Sequence, residues 1–369
     1  MMNRMIAANL VHRPIRSLIS IVAIALEVTL ILLIVGLSLG VLNDSRQRQA
    51  GIGADVVVMP PGSSYFVGLT GAPMPIKVGD VLKKLPHVAV VAPVVTNISA
   101  NGASLEVISG IDLDTYENLG GPFHYTQGGP FEGPDDALVD DLWAQSKHVK
   151  VSDTIHVLNQ PFRVAGIVEH GRGVRMILQI GKLQDLMGAK DKASLFYIKT
   201  DNPGNADLVV DEIKHFRGME GYQTVSMAYY LSMMTPGNTP LLKSFIDVVI
   251  AISMIIGFIV IFQAMYAAVM ERTREIGILK SMGASKFYIV NAILRETLLL
   301  ALAGVVVGIL FSLAARIGLQ RGMPLTQIDI DAVWILWATI LALVGAILGA
   351  LYPAFKAAQK DPIDALAYE

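Results

Sequence analysis

The sequence predicts an α-helical membrane protein with four transmembrane helices and an α+β extracytoplasmic domain inserted between helices 1 and 2. Three observations carry this. Of 369 residues, 53% are hydrophobic and 16% charged, a balance seldom found in a soluble chain of this length. Four apolar runs each reach the roughly 20 residues that cross a bilayer. Between the first two runs, residues 43–243 switch to short apolar segments punctuated by Gly, Pro and Asp, the pattern of a globular domain of strands and helices.

In residues 1–16, helical spacing brings Met5, Ile6, Asn9 and Leu10 together and leaves Arg4, His12 and Arg13 elsewhere. The pattern suits an amphipathic elbow on the inner headgroups or a disordered basic tail. Residues 17–42 form the first span, broken only by Glu27. The run continues into Asn43-Asp44-Ser45-Arg46 without a small-residue cleavage site, so it reads as an uncleaved anchor. Residues 244–270, 297–317 and 333–352 form the other spans. Arg4, Arg13, Arg16, Arg272, Arg274, Lys280, Lys286, Lys356 and Lys360 then fall on one side, which the positive-inside rule makes cytoplasmic. Both termini and residues 271–296 lie inside on this reading, as does the 353–369 tail, while the 318–332 loop lies outside. Tyr352-Pro353 is expected to close the last span, and Asp361-Pro362 to open a short capped helix below it. Glycines four apart in three spans (Gly36 and Gly40, Gly304 and Gly308, Gly345 and Gly349) predict close helix packing, within the chain or across a dimer.

In the inserted domain, residues 54–59, 88–96, 104–111, 154–158, 162–168 and 194–200 read as strands, and 78–85, 135–146, 180–187 and 205–216 as helices. Residues 43–51 continue the first span outward as a stalk. Pro236, Gly237 and Pro240 break the returning stalk, 225–242. Residues 43–242 hold 16 Lys and Arg against 21 Asp and Glu, so nothing here suggests nucleic acid.

Several chemistries are absent from the sequence. It has no cysteine, hence no disulfide or thiolate metal site. No Gly-x4-Gly-Lys-Ser/Thr loop cradles nucleotide phosphates, and no histidine pair has zinc-ligand spacing. Gly-x-Ser-x-Gly is also missing. Met219, Met227, Met233 and Met234 cluster near the outer surface, where apolar packing or contact with a greasy substrate is a better use than copper handling. Glu27 is the sharp exception, because an ionisable group inside a span is costly and points to function by default. It lies about 15 Å in from residue 17 at about 1.5 Å per residue, and Gln263 lies at a comparable depth. Their meeting would fix helix register, while a substrate or proton role is the alternative.

Glu271 to Ser285, ERTREIGILKSMGAS, is a charged segment wedged between two apolar runs. Glu271 with Arg274, and Arg272 with Glu275, are spaced to pair on a wet helix face, while Ile276, Leu279 and Met282 form an apolar one. Gly283 is placed to end that helix in a left-handed conformation, and Ser285 to cap the next. The segment is therefore either a solvated loop or a rigid elbow joined to two membrane helices.

This wording resembles the coupling segment of FtsX-like and MacB-like ABC transporter permeases, in which E-R-x-x-E-I-G-x-L-x-x-x-G-A-S follows the second membrane helix. Arg13-Pro14-x-Arg16, Glu296 and the tail AFKAAQKDPIDAL resemble the same family, and the inserted domain more loosely resembles its periplasmic core domain. The resemblance implies a permease subunit of the bacterial inner membrane that is not itself an enzyme. A separate ABC ATPase, in two copies, would bind ATP and Mg and dock on Glu271, Arg272, Glu275, Ile276, Gly277, Leu279, Lys280, Gly283, Ala284, Ser285, Asp361 and Pro362. It further implies a homodimer and an amphiphilic or hydrophobic cargo, with a periplasmic adaptor and an outer-membrane channel as optional additions. An FtsX-type transmitter that activates an exported partner is the alternative within the family. A membrane-anchored receptor or enzyme is the alternative outside it.

Overall fold

The computed structural model describes residues 14–63, 72–101 and 104–360, which leaves residues 1–13, Asp361 and Pro362 outside the described residues. The chain divides into two compact units. Helix α1 (Pro14–Ala50) is unbroken, and its residues belong to the helical unit up to Gly40 and to the inserted unit from Val41.

The inserted unit comprises β1 (Val56–Met59), β2 (Met74–Pro75), α2 (Val78–Leu82), β3 (Val88–Asn101), β4 (Ser104–Ile111), α3 (Leu113–Gly120), β5 (Tyr125–Gly128), β6 (Asp136–Asp140), α4 (Asp141–Lys147), β7 (Thr154–Val157), β8 (Gln160–Val168), β9 (Met176–Gln179), α5 (Ile180–Leu186), β10 (Lys192–Ala193), β11 (Leu195–Thr200), α6 (Ala206–His215), β12 (Gln223–Ser226) and α7 (Met227–Met233). Ten of these strands, among the described residues, form one mixed sheet in the order β12-β1-β11-β3-β4-β9-β6-β8-β5, with β7 on β8. The β4–β9 and β6–β8 pairs are parallel and the rest antiparallel. Strands β1 and β6 are buried along their whole length, and β1, VVVM, accordingly reads as a continuous apolar run rather than an alternating one. On one face, Phe196, Ile198, Val56 and Val58 meet Val209 and Ile213 of α6. On the other, Tyr197, Val57 and Val94 pack with Tyr116 and Leu119 of α3.

One expectation needs correction here. Residues 135–146 are not one helix: Asp136–Asp140 is a buried strand, and Asp140 accepts from the Trp143 amide to start α4. Five buried residues in a row satisfy a strand as well as a helix, and pairing with β8 and β9 decides the matter. Of the uses open to the methionines, Met219, Met227 and Met234 take apolar packing, at 4–6% exposed. The returning segment is β12, α7 and a 3-10 turn at Pro236–Asn238 before the next helix starts at Pro240.

The helical unit adds α8 (Pro240–Glu271), α9 (Thr273–Ser281), α10 (Lys286–Gly322) and α11 (Ala332–Gln359) to α1. Helices α1, α8, α10 and α11 are each long and apolar enough to cross a membrane, so this is a multi-pass membrane protein. Ile24, Val28, Ile31 and Leu32 of α1 form a core with Ile261 of α8, Val305 of α10 and Ala342 of α11. The paired glycines are used inside the chain. A side chain at Gly304 would collide with Ile24, one at Gly308 with the Ala25 backbone, and one at Gly349 with the Phe258 backbone. Thr29 adds bonds from its hydroxyl to Ala25 O, 2.7 Å, and to Gly308 O, 3.2 Å. Helix α11 does not close at Pro353 but continues to Gln359. The hydrogen bond that proline cannot donate is outweighed by burial of Ala354, Ala357 and Ala358 beyond it.

Candidate functional site

The elbow is built from local rules. Helix α8 stops at Glu271, and Arg272 leaves helical geometry at φ −107°, ψ 17°. The Thr273 hydroxyl donates to Val269 O and Met270 O, 3.2 and 2.9 Å, holding the last carbonyls of α8 as α9 begins. At the other end Gly283 takes φ +94°. Its amide bonds Lys280 O at 3.0 Å and the Ala284 amide bonds Leu279 O at 3.0 Å. That pair of bonds is a Schellman motif, as the glycine predicts. Ser285 Oγ then accepts from the Tyr288 amide at 3.2 Å and caps α10.

Long-range contacts fix how the elbow meets its neighbours. Arg272 Nη1 pairs with Glu296 Oε2 at 3.0 Å, the side chains being 12% and 6% exposed. This replaces the expected pair with Glu275, which is exposed. A partner 24 residues away in α10 is invisible to helix-periodicity rules; Glu296 stands out in the sequence only as an acidic residue at the edge of an apolar run and by its family resemblance. Lys280 donates to Ala358 O at 3.1 Å and to Lys360 O, tying α9 to the last carbonyls of α11. The buried side of α9 is Thr273 and Gly277, with Ile276 half-buried against Ala354 and Ala357. The expected apolar face thus splits. Met282 is 70% exposed, and Ile278 one turn before it and Phe287 in the first turn of α10 are 43% and 77% exposed. A groove of about 330 Å³ runs between α8, α9 and α10, lined by Met265, Val269, Leu279, Tyr288 and Ile293 with the Arg272–Glu296 pair in its wall. Glu271 lies exposed beside it, and Ala284 is half-buried.

The intramembrane candidates do not meet. Glu27 is 4% exposed and its carboxylate lies against Gly257, where a Cβ would collide with Oε2. Gln263 is exposed. Six residues further along α8 turn it well away from Gly257, a rotation that depth alone cannot reveal.

Within the inserted unit, the outer turns of α1 are gripped by the sheet. Arg175 bridges Asp44 at 2.9 Å and Asp140 at 3.1 Å, and Arg48 joins Asp44 at 3.0 Å. The Gly173 amide bonds Arg48 O at 2.8 Å, and the Tyr197 hydroxyl donates to Gln49 at 2.8 Å. Burial pushes the Asp140 carboxyl up, against the pull of Arg175. Among the described residues, no group of His, Asp and Glu side chains is placed to hold a metal ion.

Comparison with known proteins places these parts. Residues 17–216 match the MacB-like periplasmic core domain, and residues 248–362 match the FtsX-like permease C-terminal domain. The chain is 26% identical over 388 residues to the macrolide export ATP-binding/permease protein MacB of Shewanella sp. (strain W3-18-1), covering 97% of this chain and 59% of that protein. To the protein of the same description from Escherichia coli (strain K12) it is 27% identical over 394 residues, covering 99% of this chain and 60% of the other. The chain therefore spans about 60% of the length of these curated relatives. Among solved structures, the periplasmic region of MacB from Actinobacillus actinomycetemcomitans aligns with TM-score 0.39 and 14% identity, over 50% of this chain and 94% of that one.

Proposed function

The chain belongs to the MacB-like, FtsX-like permeases, and from that premise we propose that it is the permease subunit of an ABC-type transporter of the bacterial inner membrane, driven by an ABC ATPase that docks on the elbow at α9. The observation that carries this reading is a braced helix end with its apolar side chains uncovered. Met282, Ile278 and Phe287 stand 70%, 43% and 77% exposed on a segment otherwise charged and wet. Exposed apolar clusters of this kind favour a protein partner. The bracing gives the docking a consequence. Arg272 ties the end of α8 to α10, and Lys280 ties α9 to the end of α11, so a displacement of the elbow is shared by three helices.

On this reading the elbow faces the cytoplasm and the inserted unit lies on the opposite side, where it acts on an amphiphilic or hydrophobic cargo. The continuous α1, with its outer turns held by Arg175, carries motion to that unit. Two copies of the chain work with two copies of the ATPase, and ATP and Mg are bound there rather than here. Gentle solubilisation from native membranes, followed by identification of what is isolated with the chain, tests the proposal. An ATPase whose turnover responds to this chain is expected, and Met282→Glu with Phe287→Glu should abolish the response while the chain still inserts. Absence of an ATPase, or turnover indifferent to both substitutions, would overturn the proposal.

A further inference from the structure

Glu27 occupies a position that the docking and lever roles do not use. It is 4% exposed, and its Oε1 has no hydrogen-bond partner. The carboxylate sits where three helices come together: Oε2 lies against Gly257 of α8, and a Cβ on Gly345 of α11 would reach Oε1 at 3.9 Å. Both of these contacts are with glycines, so backbone shapes that part of the slot.

No counter-charge is available either. Apart from Glu27, residues 17–43 of α1 contain no Asp, Glu, Lys, Arg or His. The facing stretches 248–265 of α8, 297–315 of α10 and 334–351 of α11 contain none at all. The nearest ionisable residues along those helices are Asp247 and Tyr266 on α8, Glu296 and Arg316 on α10, and Tyr352 on α11. Asp247 is ten positions and Tyr352 seven positions from the glycines of the slot, about 15 and 10 Å at about 1.5 Å per residue. A lone carboxylate in such a place neutralises rather than remaining charged. The buried hydroxyls of Thr29, Thr297 and Ser312 donate to backbone carbonyls, Thr29 to Ala25 O and Gly308 O. Glu27 has no such arrangement for Oε1.

We propose that Glu27 is a proton-binding site. It is a carboxylic acid while α1, α8 and α11 are packed, and its O–H proton passes to water, leaving a carboxylate, when α8 and α11 part from α1 at Gly257 and Gly345. Opening of the bundle is then linked to release of one proton per chain, and by reciprocity a higher pH favours the open arrangement. This inference does not depend on which partner docks at the elbow.

Infrared difference spectroscopy of the full chain in lipid nanodiscs reads the proton directly. The expected result is a protonated-carboxyl C=O band that persists near pH 7 and that is lost in Glu27→Gln. Gly257→Ala, whose methyl group would displace Oε2 from its slot, should weaken the band, whereas Gly318→Ala, where a Cβ meets nothing within 4 Å, should leave it unchanged. The wild-type chain gives a second reading that needs no variant: slow shift of the band in deuterium oxide, as burial requires. No such band near neutral pH, a band retained in Glu27→Gln, a band indifferent to Gly257→Ala, or immediate exchange in deuterium oxide would each overturn the proposal.

Discussion

Gly283 offers a test of the elbow in which one physical effect can be isolated. Its φ is +94°, and a Cβ built there would meet nothing within 4 Å. Substitution therefore adds no collision, and the whole effect is the cost of holding an L-residue in left-handed backbone, about 1–2 kcal/mol. That corresponds to a rise of about 5- to 30-fold in the population of the opened end. Gly283→Ala should show this rise, Gly283→Asn a smaller one because asparagine tolerates the conformation, and Gly283→Val at least as large a one. Hydrogen exchange of the full chain in nanodiscs is the assay, read at the amides of Gly283 and Ala284, whose bonds to Lys280 O and Leu279 O form the motif. The ATPase response should fall in the same order as protection is lost. Unchanged exchange in Gly283→Ala, or equal effects of asparagine and valine, would refute the claim that the turn depends on backbone conformation.

The buried pair Arg272–Glu296 should behave as a structural tie: Glu296→Ala is expected to cost about 3–5 kcal/mol because it strands the guanidinium. Arg272→Met together with Glu296→Leu should recover most of that loss, measured by thermal unfolding in nanodiscs; a double variant no better than the single would sink this account. On the sheet, His87 and Asp201 lie 2.9 Å apart, and each shifts the other: the Asp201 hydrogen bond holds His87 above its usual value, and the His87 hydrogen bond holds Asp201 below its own. The histidine's contribution is fully present below about pH 6.5 and is lost as pH rises through its raised folded value. The aspartate's contribution is present above about pH 3.9 and is lost as pH falls through its lowered folded value. Both contributions are therefore fully present together between about pH 3.9 and 6.5. An NMR titration of the imidazole should show the raised midpoint, with a return to the ordinary value in Asp201→Asn; an ordinary midpoint in the wild type would contradict the pairing.

The sequence was most informative where one local rule decides the structure. Gly283 and Ser285 act through their own backbone and nearest amides, so their roles as helix stop and helix cap could be read from spacing. The apolar spans were legible for the same reason, since lipid leaves a helix few alternatives. What stayed hidden is tertiary. Asp136–Asp140 reads as helix until β8 and β9 claim it, and β9 and β12 are four-residue strands identified only by their partners. Arg272 has an acceptable neighbour at Glu275 and takes Glu296 instead. Glu27 and Gln263 share a depth but not a helix face, and the true seat of Glu27 is a pair of glycines, which leave no chemical signature to search for.

Helix α11 buries a face made of Ala338, Ala342, Gly345, Ala346, Gly349, Ala350, Pro353, Ala354, Ala357 and Ala358. None of these side chains has rotamers to freeze, so covering that face costs almost no side-chain entropy. There are also no long side chains to interlock, and contact across the face is set by backbone shape. A neighbouring helix can shift along this smooth shaft without forcing any residue of α11 through a torsional barrier. A leucine anywhere on it would act as a peg and fix the bundle in one setting.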